Sequence, residues 1–246
     1  MLTVGSLFAG IGGFDLGLER AGMRVTWQSE TDEFCRSVLA RHWPEVPRFG
    51  DVRGLTSSSL PPVDILCGGF PCQDLSSAGN AAGLAGERSG LWVEFVRLAS
   101  ELRPGYIIVE NVSALLVRGL GRILGDLAEI GYDAEWDCIP ASALGAPHPR
   151  DRVWIVAYPS GPGLQGHRPG ADGSASAPRA GAPARGGRPG DARLTLGRTW
   201  RIEPAVGRMA DGVPARVDRL RALGNALVPQ IAQWIGGRIV SWELFK

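Results

Sequence analysis

Residues 2–20 read Leu2-Thr3-Val4-Gly5-Ser6-Leu7-Phe8-Ala9-Gly10-Ile11-Gly12-Gly13-Phe14-Asp15-Leu16-Gly17-Leu18-Glu19-Arg20. The apolar run Leu2 to Phe8 predicts a buried strand, Ala9 to Gly13 a glycine turn, and Phe14 to Arg20 a helix closed by Gly22. A strand, a glycine turn and a helix in succession form a site for a nucleotide-like ligand, because the missing side chains let the backbone approach it. The strict dinucleotide pattern fails, since Asp15 stands where its third glycine should be. A nicotinamide cofactor is therefore disfavoured, while the α/β frame stands.

Outward from this unit, a second strand, Met23 to Gln28, leads to Glu30, 20 residues after Gly10, where an acid can accept hydrogen bonds from ribose hydroxyls. Asp51 follows a third short strand, Val46 to Phe49, and can bind an adenine amino group. Either acid alone is better read as a loop charge or helix cap. Two of them at successive strand ends beside a glycine turn favour a ribose-plus-adenine ligand.

Val63 to Cys67 reads as another short buried strand, and Gly68-Gly69-Phe70-Pro71-Cys72-Gln73-Asp74-Leu75-Ser76 follows it. The double glycine ends the strand, and Pro71 fixes the backbone just before a thiol. Cys67, inside the strand, reads as a structural residue. Cys72, in a polar bend at the carboxyl end of a strand, reads as a nucleophile. Ser76 to Gly90 is rich in small residues and suits a lid over substrate. Leu91, Phe95, Leu98 and Leu102 mark an amphipathic helix stopped by Pro104-Gly105. The strand Tyr106 to Val109 then delivers Glu110-Asn111-Val112 to the edge where Cys72 emerges, which favours chemistry over capping for Glu110.

A helix is expected from about Leu115 to Ile130, then strands over Tyr132 to Cys138 and Arg152 to Ala157. Between them stands Pro147-His148-Pro149-Arg150-Asp151-Arg152. Two arginines two apart on a strand point the same way and could converge on one ligand.

Phe70-Pro71-Cys72-Gln73 with Ser76, Glu110-Asn111-Val112, and Arg150 with Arg152 resemble, in this order, motifs of the DNA (cytosine-5)-methyltransferases of bacterial and phage type. Arg88-Ser89-Gly90-Leu91 looks like the family element after the lid. Leu223-Gly224-Asn225-Ala226-Leu227-Val228-Pro229 looks like the family's last motif, which folds back to the cofactor crevice. The resemblance covers roughly residues 2–157 and 198–240. His148 stands where the family has a glutamine, so that glutamine's role does not transfer.

The resemblance implies an α/β fold, a doubly wound, mostly parallel sheet of the S-adenosylmethionine-dependent methyltransferase type with a small, poorly cored insertion. S-adenosyl-L-methionine would lie against Phe8, Ala9, Gly10, Gly12, Gly13, Glu30, Asp51, Leu91 and Asn225. Cys72 would attack carbon 6 of cytosine, Glu110 protonate ring nitrogen 3, and Arg152 bind the base carbonyl. Arg150 would support the site, and Asn111 would hold the Pro71 turn. Gln73, Ser76, Arg88, Arg179, Arg185 and Arg188 would touch double-stranded DNA, with the target base flipped out of the stack. A cytoplasmic monomer without membrane contact is expected. A companion restriction endonuclease suits the family setting, although no residue identifies one. Two alternatives are a tRNA cytosine-5 methyltransferase using the same residues and a catalytically inactive DNA-binding relative; intact Cys72, Glu110 and Arg152 argue against the latter.

Composition sets wider bounds. Net charge is +1, so any surface for nucleic acid is local; 44% apolar and 21% charged residues are ordinary for a globular protein. Four cysteines form no CxxC pair and no metal spacing with the three histidines, which suits a reduced, intracellular setting. Met1 to Phe14 lacks a basic leader and reads as strand and turn rather than signal peptide, and no run approaches the ~18 apolar residues of a membrane span.

From Pro159 to about Gly197 the chain turns to Gly, Ala, Pro, Ser and Arg, with Arg168, Arg179, Arg185, Arg188, Arg193 and His167 against Asp172 and Asp191. Order resumes at Trp200. A helix is expected around Val213, Val217, Leu220 and Leu223 with Pro214 in its first turn, and another from about Gln230 to Leu244. The expected divisions are a cofactor-binding and catalytic domain at 1–157, a short target-recognition insertion at 158–197, and a C-terminal segment at 198–246 folding back on the first.

Overall fold

The opening unit forms as its pattern predicts, with strand β1 over Thr3–Leu7 and helix α1 over Gly13–Arg20. The computed structural model describes residues 1–71, 90–161 and 216–245. Cys72, Gln73, Ser76, Arg88, Arg179, Arg185 and Arg188 lie outside the described residues, as do the expected lid and most of the insertion. All described residues other than Gly161 fall in one compact unit.

The remaining elements are β2 (Arg24–Ser29), α2 (Glu33–His42), β3 (Arg48–Phe49), β4 (Ile65–Gly68), α3 (Gly90–Leu102), β5 (Tyr106–Val112), α4 (Leu115–Arg118), α5 (Leu120–Glu129), β6 (Tyr132–Pro140), β7 (Asp151–Pro159), α6 (Arg216–Asn225) and α7 (Pro229–Leu244). The strands form one sheet in the order β3-β2-β1-β4-β5-β7-β6. The first five pair in parallel, while β7 runs antiparallel to β5 and to β6. This is the doubly wound frame: the order reverses between β1 and β4, and the crevice at that reversal is where such folds bind ligands.

Parallel strands covered on both faces read as continuous apolar runs, and Ile65, Leu66, Cys67, Ile107, Ile108 and Val109 are buried accordingly. The stripe on α3 buries Trp92, Phe95, Leu98 and Ala99. Helix α7 starts on Pro229, whose missing N–H costs nothing there, and buries Ile231, Ile235 and Ile239 while packing along α1.

Helix α2 was not expected from the sequence, and three other elements differ from the expectation. The helix expected over 115–130 is two helices, because Gly119 (φ −170°, ψ −7°) leaves the helical conformation between α4 and α5. Strand β5 continues through Val112, because β7 supplies partners for Glu110, Asn111 and Val112, so these residues lie within the sheet rather than beyond its end. Helix α6 exposes Val217 and Leu223 and buries Ala222 instead.

Candidate active site

Strands β1, β2, β4 and β5 point their carboxyl ends the same way: Leu7 lies beside Ser29 and Gly68, and Gly68 beside Val109. The residues that follow, Phe8, Glu30, Gly69 and Glu110, therefore share one edge of the sheet.

On the cofactor side the turn is shaped by specific contacts. Phe8 adopts a left-handed backbone (φ 52°), and the Ala9 amide donates to the Ser29 carbonyl at 3.0 Å. Gly10 (φ 56°) has open space where a Cβ would project, so its backbone can be approached. Gly12 and Gly13 have a different reason for being glycine. A Cβ on Gly12 would sit 2.4 Å from the Trp43 ring, and one on Gly13 would sit 2.9 Å from Leu227. These two glycines let other parts of the protein come close.

Glu30 ties the turn to the next element. Its Oε2 accepts the Gly10 N–H at 2.7 Å, and its Oε1 accepts the amides of Thr31 and Asp32, each at 2.8 Å. A carboxylate oxygen accepts two hydrogen bonds, so Oε2 keeps room for one hydroxyl donor from a ribose. Asp51 caps a short turn through the Arg53 amide and pairs with the Arg53 guanidinium at 2.6 Å, which lowers its pKa. The pair is exposed, so an amino group can compete for the carboxylate. Glycine backbone, acids and open space fit an adenosine-bearing cation. Leu91 is half-buried in the first turn of α3, and Asn225 is exposed at the end of α6.

On the catalytic side, Glu110 is only 8% exposed and lies 3.2 Å from Arg152 Nε. Burial pushes its pKa up to about 7, although Arg152 and Arg150 oppose the shift. Its acid form, with a proton to give, is thus favoured well above the ordinary carboxylate range. Asn111 Nδ2 donates to the Phe70 carbonyl at 3.3 Å, and its Oδ1 accepts the Val112 amide at 2.8 Å. This holds the backbone immediately before Pro71. Cys67 is fully buried, and burial raises its thiol pKa well above the ordinary range.

The two arginines do not converge. Arg150 lies one residue ahead of β7 in a left-handed conformation (φ 36°), which breaks the strand alternation that would align it with Arg152. Its Nη2 donates instead to the carbonyls of Gly224, at 2.9 Å, and Ala226. Burial and the Arg152 charge lower its pKa from the ordinary arginine value. His148 is exposed.

Sequence reasoning missed a buried polar cluster beneath the turn. Asp15, fully buried, accepts from Gln28 Nε2 at 2.8 Å and Ser6 Oγ at 3.1 Å. Desolvation raises its pKa to about 6. The available signal was Gln28, a polar side chain inside an otherwise buried strand.

Among the described residues no helix is long and apolar enough to cross a membrane. A family model for C-5 cytosine-specific DNA methylase matches residues 2–172. The Type II methyltransferase M.NgoBI of Neisseria gonorrhoeae is 35% identical over 156 residues, 62% of this chain and 49% of that protein. M.DsaV of Dactylococcopsis salina is likewise 35% identical over 156 residues, 62% of this chain and 44% of its own. The crystal structure of a candidate DNA modification methyltransferase encoded within an E. coli prophage superposes with a TM-score of 0.56 and 28% identity, covering 65% of this chain and 47% of the other. The chain spans about half the length of these relatives.

Proposed function

This chain belongs to the C-5 cytosine-specific DNA methylase family, and from that premise we propose that it methylates carbon 5 of cytosine in DNA. The observation that carries the reading is the Glu110–Arg152 pair, a buried carboxyl poised near neutrality 3.2 Å from a guanidinium at the ligand edge of the sheet.

Carbon 5 of cytosine is a weak nucleophile. Attack of the Cys72 thiolate on carbon 6 forms a carbon–sulfur bond and pushes electrons onto the ring, making carbon 5 reactive. Glu110 gives a proton to ring nitrogen 3, removing the charge that develops there. Arg152 holds the base carbonyl while keeping Glu110 oriented. Asn111 fixes the Phe70–Pro71 backbone from which Cys72 follows. Once carbon 5 carries the methyl group, a water molecule acting as base takes its proton, the thiolate is expelled, and Glu110 recovers the proton from nitrogen 3. Phe8, Gly10, Glu30 and Asp51 would hold S-adenosylmethionine, which would supply the methyl group as an electrophilic sulfonium and leave as S-adenosylhomocysteine. The same reading has the protein act as a monomer in the cytoplasm on double-stranded DNA, with a restriction endonuclease of matching specificity as the companion to test for.

The test is expression in a host without cytosine methylation, followed by base-resolution mapping of 5-methylcytosine. A defined methylated sequence is expected with the wild-type chain and none with Cys72→Ala. A duplex carrying 5-fluorocytosine should trap the wild-type protein covalently, because fluorine cannot leave as the proton does. Unmodified DNA, or turnover retained by Cys72→Ala, would overturn the reading.

A further inference from the structure

We propose that Arg150 is a positioning residue for the cofactor crevice: it holds the turn at residues 224–228, whose Leu227 forms the wall behind the glycine turn. This rests on the reading that the crevice holds S-adenosylmethionine.

The final carbonyls of a helix have no partner within it and carry the negative end of its dipole. Gly224 presents such a carbonyl in the last turn of α6 and Ala226 another acceptor just beyond the helix, and Arg150 Nη2 donates to both. A cation at that position satisfies the orphan acceptors and offsets the dipole together. The left-handed backbone of Arg150 is unfavourable for a residue with a side chain and persists only where its surroundings demand it. Here the demand is the carbonyl pair.

What the turn does follows from its next residues. The Cγ and carbonyl oxygen of Leu227 would lie 2.9 and 3.2 Å from a Cβ on Gly13. The Pro229 carbonyl would lie 2.4 Å from one on Gly17. The turn thus bears on the backbone of α1 where the glycine turn enters it. Its other flank is anchored as well, since Arg221 Nη2 meets Asp32 Oδ2 at 2.6 Å. Asp32 caps α2 and gives its amide to Glu30. Arg150 therefore works on the cofactor side of the crevice, although it stands two residues from Arg152.

The two roles open to Arg150 separate in kinetics. S-adenosylhomocysteine affinity, measured by calorimetry, and steady-state methylation of duplex DNA are compared for wild type, Arg150→Ala, Arg150→Lys and Leu227→Ala. Arg150→Ala should raise both the cofactor Kd and its KM about tenfold or more, a larger change than any it makes in kcat at saturating cofactor. Lysine, which can also donate to carbonyls, should recover part of the affinity, and Leu227→Ala should shift Kd in the same direction as Arg150→Ala. If Arg150→Ala fails to fold, the lysine and Leu227 variants carry the test. A lowered kcat with unchanged cofactor Kd would put Arg150 on the base and overturn this role. A lower unfolding temperature with unchanged Kd would also overturn it. Wild-type protein that binds no S-adenosylhomocysteine would overturn the proposed function and this role with it; wild-type binding beside unaltered variants would overturn this role alone.

Discussion

A carboxyl group buried without a cation is costly, and Asp15 has Gln28, its own backbone amide and Ser6 to compensate it. Its acid form is favoured in the folded protein. The stabilisation is therefore fully present below the ordinary pKa of 3.8 and is lost as pH rises through about 6. Above that, holding the charge costs on the order of 3 kcal/mol. Gln28 Oε1 is buried and has no partner among the described residues, so rotating the carboxamide would offer an acceptor to a donor at position 15. Asp15→Asn supplies such a donor without charge. It should raise the unfolding temperature by several degrees at pH 8, by about half as much at pH 5 and by little at pH 3.5, as calorimetry at the three pH values would show. Glu110 carries the same electrostatics into function. With its pKa near 7, its share of the rate should fall as pH rises beyond that value. Glu110→Gln should lower kcat by about 10²–10⁴-fold and remove that decline, with a smaller change in DNA affinity. An unchanged rate would reduce Glu110 to a structural group.

At the scale of elements, the cofactor crevice is made by ties between segments more than by any one of them. Glu30 joins the turn after β1 to the start of α2 through three amides. Arg36 of α2 reaches back to the Glu30 and Phe49 carbonyls, binding the ends of β2 and β3. Glu30→Ala should weaken S-adenosylmethionine binding by about 1.5–3 kcal/mol, because charged hydrogen bonds are lost and the Gly10 turn is released. Equal affinity in calorimetry would place the cofactor elsewhere. The strongly periodic elements were legible, as α3 and α7 illustrate. The break at Gly119 was not, because apolar spacing continues on both sides of it. The burial pattern of α6 was also missed, since periodicity reveals a face without saying what covers it.

For the whole molecule, the 158–197 segment, whose first two residues end β7, is proposed to carry sequence specificity as a recognition insertion. A single compact recognition module buries about 600–1,000 Å² of protein surface. A segment with so few apolar anchors and so many arginines should rely on phosphate contacts. The expectation is a short site, on the order of two to four specified base pairs, and an affinity that falls steeply with salt. Deleting the segment should remove sequence preference while sparing S-adenosylhomocysteine binding, because the Arg150 and Arg221 anchors lie outside it. Mapping that returned a long, strictly specified site, or a deletion variant with unaltered preference, would put specificity in another part of the chain.

By itself the sequence determined most of the strands, the helices α1, α3 and α7, and which acids stand at strand ends, while the doubly wound class came from the family resemblance. The elements follow from local periodicity and from strand ends, which are properties of neighbouring residues. Tertiary structure alone decided what each of those residues touches. It turned Arg150 away from Arg152, backed Gly12 with Trp43 and Gly13 with Leu227, and sank Asp15 between Ser6 and Gln28. It also set the proton affinity of Glu110, because desolvation depends on everything packed around a group, and most of that comes from distant parts of the chain.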